Sequence, residues 1–110
     1  MKNINECVAV FNDCVSHCRQ SLVRCLKEGH GDNTQCHLAM LHCAEAAQFA
    51  AMAVSSAAPY TKAACEICMK ACRDCIDVCK SEGGHAECIG CCQACIDMCH
   101  EMIKTDCCSN

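Results

Sequence analysis

The stretch CEICMKACRDCIDVC (65–79) sets cysteines at 65, 68, 72, 75 and 79, alternately three and four residues apart. Helices in bundles use that spacing for their inward positions, which Leu, Ile and Val normally fill. A helix with this run therefore presents a column of thiols to its neighbours. The spacing recurs along the chain. Ile4, Cys7, Phe11, Cys14, Cys18 and Cys25 form a stripe in a first segment. A second carries Cys36, Met40 and Cys43, then Ala47, Ala50 and Val54, and a fourth carries Cys88, Cys91 or Cys92, Cys95, Cys99 and Met102. In the third segment the charges Glu66, Lys70, Arg73, Asp77 and Lys80 fall off the stripe, with opposite-sign partners one turn away, and read as a solvated face.

Three punctuated stretches separate the segments. EGHGDN (28–33) ends the first and offers Asp32 or Asn33 as a helix cap; SSAAPYT (55–61) ends the second and places Pro59 in the first turn of the third; SEGGHAE (81–87) precedes the fourth. No sustained strand alternation appears. The expectation is an all-α fold, an up-down-up-down four-helix bundle with a cysteine-lined core. It forms one domain over 1–110, with helices near 3–28, 33–56, 59–81 and 85–105.

The chain holds 18 cysteines in 110 residues and few large aliphatic side chains, so the thiols must serve as the core or replace it. Short cysteine-dense chains are usually secreted disulfide scaffolds. Here the start, MKNINECVAVFNDC, has no apolar signal core or small-residue cleavage site, and the expectation is a cytoplasmic protein with reduced thiols. The bland stretch 44–58, interrupted by Glu45 and Gln48, reads as too short to span a bilayer, so no membrane partner is expected. A net charge of −4 and only three aromatic residues (Phe11, Phe49, Tyr60) argue against nucleic acid. No nucleophile–base pair or phosphate loop suggests an enzyme.

Inward thiols three or four residues apart have Cβ atoms roughly 5–6 Å apart. A disulfide needs about 3.5–4.5 Å. Such pairs are too wide to oxidise within one helix, yet suited to grip a metal between two sulfurs. Thioredoxin-type C-x-x-C pairs belong at a helix N-terminus in a βαβ setting, which is lacking. Soft sulfur admits Cu(I), Zn(II) and iron–sulfur clusters. A ferredoxin run would need cysteine where Ala71 and Ala94 stand, and no proline follows. Several all-thiolate zinc sites would bury many negative charges along one axis. Cu(I) and thiolate in equal number are neutral, and capacity then approaches about one ion per thiol. The zinc or mixed-metal thiolate buffer of metallothionein type is the alternative. An iron–sulfur electron carrier ranks below both.

The pattern resembles the bacterial four-helix-bundle copper storage proteins. The resemblance spans essentially the whole chain, and its most specific parts are CEICMKACRDCIDVCKSEGGHAECIGCCQACIDMC (65–99) and CVSHCRQSLVRC (14–25). The start without a signal core then leads us to expect the cytosolic branch. The resemblance implies many Cu(I) ions per chain inside the bundle, a homotetramer, admission of ions at one end near histidines, and copper donor or acceptor proteins as partners.

The candidate ligands are Cys7, Cys14, Cys18, Cys25, Cys36, Cys43, Cys65, Cys68, Cys72, Cys75, Cys79, Cys88, Cys91, Cys92, Cys95 and Cys99. In an up-down bundle the 28–33 and 81–87 loops share an end, gathering His30, His37 and His85 around Cys25, Cys36, Cys79 and Cys88. His85 is the strongest of these; His30 and His37 read more simply as solvated residues, and His17, His42 and His100 as surface. Met40 and Met102 continue the stripe as thioethers or as core filler. Cys107 and Cys108 lie in the terminal tail and complete the set.

Overall fold

The computed structural model describes residues 3–29, 34–83 and 85–104. It contains α1 (Ile4–Lys27), α2 (Thr34–Ser55), α3 (Thr61–Glu82) and α4 (Ala86–Lys104). Consecutive helices pack against each other and α4 closes onto α1, while the diagonal pairs stay apart. The bundle is a square prism measuring 45 × 19 × 19 Å.

Local signals explain where the helices start and stop. Asn3, in extended conformation, caps α1: its side-chain oxygen accepts from the Glu6 amide at 2.9 Å. Glu6 adds a negative charge to the first turn, where the helix dipole favours it. α3 ends at Gly83, whose φ of 79° suits glycine and whose amide donates to the Cys79 carbonyl. Between α2 and α3 the chain reverses through Ala57, at a φ of 53°. The amides of Ala57 and Ala58 donate back to the carbonyls of Val54 and Ala53, the pattern of a Schellman ending. Buried Thr61 ties the same turn, its hydroxyl donating to the carbonyls of Ala53 and Ala58. Pro59 therefore belongs to this turn and not to the first turn of α3, which starts at Thr61 once Thr61 has bonded back to Ala58. The expected caps Asp32 and Asn33 lie outside the described residues.

The inward stripes hold with one exception. Ile4 is 57 % exposed, because the first turn of α1 extends past the packed part of the bundle. Ser21 occupies an inward position that the sequence stripe skipped, seven residues after Cys14 and four before Cys25, and is buried. The core is a continuous cluster of thiols with Phe11, Met40 and Met102, continued on α2 by Ala44, Ala47, Ala50 and Ala51. Small residues there let the backbones approach where no thiols separate them. By length and composition alone α2 is apolar enough to cross a membrane, with 22 residues and a mean hydropathy of 1.2 over its best window. The full helix, Thr34–Ser55, is thus longer than the 44–58 stretch judged too short. Its hydropathy comes partly from the Cys and Ala that face α1 and α3.

Candidate metal centre

Heptad spacing turns each cysteine column inward, so four columns meet along one axis. Among the described residues every cysteine is buried except Cys91, which is half-buried. The sulfurs form a connected chain. Cys95 is 3.5 Å from Cys68, which is 4.0 Å from Cys72, itself 3.5 Å from Cys43. Cys43 also lies 3.7 Å from Cys14 and 3.5 Å from Cys92. Cys18 joins Cys92 at 4.0 Å and Cys88 at 3.5 Å. Cys75 continues from Cys88 at 3.9 Å to Cys79 at 3.8 Å.

Within this chain four groups are tight enough to hold an ion: Cys14, Cys43, Cys72 and Cys92; Cys18, Cys43, Cys75 and Cys92; Cys68, Cys72 and Cys95; and Cys75, Cys79 and Cys88. Sulfurs arranged around one metal at about 2.3 Å stand about 3.8 Å apart, so these spacings suit direct ligation. Adjacent groups share members. Cys43 and Cys92 belong to both quartets, Cys72 to a quartet and a trio, and Cys75 likewise. A shared sulfur can bridge two ions, which soft thiolate does readily for Cu(I).

The thiols perturb one another strongly. Contact with Cys18 lowers Cys14, Cys75 and Cys88, the last to about 4, and contact with Cys72 lowers Cys68. Cys18, Cys43, Cys72, Cys92 and Cys95 are raised, first by Cys14; Cys79 is raised by Cys75 and Cys99 by Cys65. Cys91 is raised mainly by its partial burial. Burial opposes ionisation at every one of these sulfurs, so a column of thiolates needs cations among them. Closed-shell monovalent copper would neutralise them one for one.

At the loop end the column meets nitrogen. His37 Nε2 is 3.1 Å from the Cys25 sulfur, and His85 Nε2 is 3.9 Å from that of Cys36. His37 is therefore drawn to a thiol and not simply solvated: as the fourth residue of α2 it stands one position after inward Cys36, beside the last inward residue of α1. His85 is 9 % exposed, and its Nδ1 is buried with no hydrogen-bond partner among the described residues. Nature seldom leaves such an atom unused.

The other expected ligands divide as follows. Cys65 and Cys99 are fully buried at the opposite end of the sulfur chain, and Cys7 is buried on α1 near that end. Met40 and Met102 are core residues, at 0 % and 4 % exposure. Cys91 belongs to none of the four sulfur groups, because adjacent Cys92 takes the inward position. His42 and His100 are exposed, and half-exposed His17 pairs with Glu87. His30, Cys107 and Cys108 lie outside the described residues.

A family model described as copper storage protein matches residues 1–104. The chain belongs to that family. No curated protein and no solved structure matches it. Membership accounts for the shared thiols: a copper storage protein needs many soft sites close together, and the connected sulfur chain supplies them. Storage, unlike catalysis, asks for no open coordination position or substrate pocket.

Proposed function

We propose that this chain holds many Cu(I) ions on the thiolates of its bundle interior and buffers copper without turnover. The observation that carries the reading is the sharing of Cys43, Cys92, Cys72 and Cys75 between neighbouring sulfur groups. Sharing marks a cluster, and charge favours copper in it: Cu(I) and thiolate in equal number are neutral, whereas a column of all-thiolate zinc sites buries net negative charge. The Cys25–His37 and Cys36–His85 pairs form the mouth, receiving ions and passing them to Cys79 and Cys88. Such a density of thiols works only where they stay reduced, which supports a cytoplasmic site of action. Leu38, Leu41, Phe49 and Met52 face outward along α2, with Tyr60 stacked on Phe49 at 5.7 Å. A homo-oligomer, a tetramer by family resemblance, would cover this stripe. Copper donor and acceptor proteins would meet the chain at its mouth.

Anaerobic titration of the reduced, metal-free protein with Cu(I) against a coloured chelator tests the reading. Uptake of about one ion per thiol before the chelator takes copper is expected. Saturation at a few equivalents, with zinc displacing copper, would move the assignment to a zinc buffer.

A further inference from the structure

Each sulfur quartet takes one thiol from every helix: Cys14, Cys43, Cys72 and Cys92, then Cys18, Cys43, Cys75 and Cys92. One step further along each inward stripe, toward the loop end, α3 and α4 offer Cys79 and Cys88, but α1 offers Ser21 and α2 offers Met40. The group there is accordingly a trio, Cys75, Cys79 and Cys88, drawn from two helices. A step in the opposite direction meets a similar break. Phe11 and Ala47 stand on α1 and α2, and the trio Cys68, Cys72 and Cys95 again comes from α3 and α4. The two breaks differ in chemistry. Phe11 and Ala47 are fully buried and carry no polar side-chain atom, so hydrocarbon fills that level. Ser21 is 1 % exposed, and its hydroxyl accepts from the guanidinium of exposed Arg24 at 3.4 Å.

Resting on the Cu(I) reading above, we propose that Ser21 makes the Cys75–Cys79–Cys88 trio the point at which stored copper is exchanged. A hydroxyl is too hard a donor for Cu(I), and Met40 can add no more than a neutral thioether. The Arg24 charge held on the hydroxyl also disfavours a second cation on that side. An ion on this trio therefore keeps one side without thiolate, where an incoming soft donor can bind. The donor takes the ion as a protein sulfur leaves, and that sulfur regains a proton; copper remains Cu(I) throughout. The quartets draw a thiol from all four helices and leave no such side, and Phe11 occupies the corresponding level beside the far trio. Location fits the task. Cys88 lies three residues from His85, whose Nε2 is 3.9 Å from the Cys36 sulfur at the mouth.

The test follows copper leaving the fully loaded, full-length chain into an excess of a coloured Cu(I) chelator without oxygen. Total copper is measured first, so that a chain holding few ions counts against the storage reading itself. Release in two phases is expected. Ser21→Cys should complete a third quartet and move about one ion from the fast phase to the slow one, without lowering the total. Ser21→Ala adds no ligand, so its fast phase should keep its amplitude and stay within about twofold in rate. Cys79→Ser leaves that trio two sulfurs and should take about one ion from the fast phase and none from the slow. This variant decides the matter if circular dichroism shows that Ser21→Cys does not fold. The proposal is overturned if wild-type copper leaves in one phase, or if folded Ser21→Cys keeps the wild-type fast amplitude. It is equally overturned if Ser21→Ala shrinks the fast phase, or if the ion lost from Cys79→Ser belongs to the slow one.

Discussion

At the residue scale the cysteines are not equivalent, although the sequence presents them as one repeated pattern. Cys43 is the only inward thiol in the middle of α2 and belongs to both quartets. Replacing it removes a bridge as well as a ligand. Cys43→Ala should therefore lower copper capacity by about two ions, against about one for Cys7→Ala, in which no quartet is touched. Equal losses in chelator-competition titrations would show that the quartets do not share their sulfurs. Protons report the same inequality. Above about pH 9, the ordinary thiol value, the unfolded chain has lost its thiol protons, while Cys18, Cys43, Cys72, Cys79, Cys92, Cys95 and Cys99 keep theirs in the bundle. The thiols held low are ionised in both states there and contribute no slope. The folded state then binds more protons than the unfolded one, so the metal-free bundle should lose stability as pH rises from 9 toward 11. The limiting slope is about 1.4 kcal/mol per pH unit for each raised thiol. Thermal melts under strict reduction check this; a flat profile would mean that the buried thiols titrate as free ones do.

At the element scale each helix combines a chemical column with ordinary helix grammar, and the grammar can be tested apart from the metal. Ala57 adopts a left-handed conformation that costs a residue with a Cβ about 1 kcal/mol. Ala57→Gly should stabilise the metal-free bundle by somewhat less than that, since glycine also loses more chain entropy on folding. Asn3→Ala removes the cap of α1 and should cost about 1 kcal/mol. Denaturant midpoints resolve both changes, and neither should alter copper stoichiometry. The columns were legible because bundle periodicity is local: Cys65 to Cys79 can be placed on one face without knowing what that face meets. Helix ends were less legible. Pro59 read as a first-turn residue, but the back-bonds of Thr61 delay α3 by two positions. Ile4 fitted the stripe and is exposed all the same, since periodicity says which face a residue shares and not how far the neighbouring helices extend.

At the scale of the whole molecule the helical periodicity of all four segments stands independent of any ligand, and reduced buried thiols pack as small apolar groups. The metal-free protein should therefore be helical by circular dichroism. Copper should then raise its melting temperature without adding helix. A metallothionein-like chain would gain structure with metal instead. The variant with Cys68, Cys72, Cys75 and Cys79 all changed to Ala separates the two roles of the thiols. It should stay helical, since Ala is a better helix former than Cys. It should also lose stability through the cavities left behind, and lose several equivalents of copper, because each of the four sulfur groups contains at least one of these residues.

The sequence by itself determined the four helices, the inward thiol columns and the softness of what they can bind, because spacing and ligand chemistry are properties of short stretches. It also placed His85 at the loop end of the thiol columns, where its Nε2 lies 3.9 Å from the Cys36 sulfur. Only the tertiary structure decided which sulfurs meet. Cys14, Cys43, Cys72 and Cys92 come from four different helices, and their grouping depends on the axial register of each helix against the others. Register likewise brought His37 to Cys25, and left Cys91 half-buried while Cys92 turned inward. A shift of one residue rotates a helical side chain by about 100°, enough to exchange a storage ligand for a surface one.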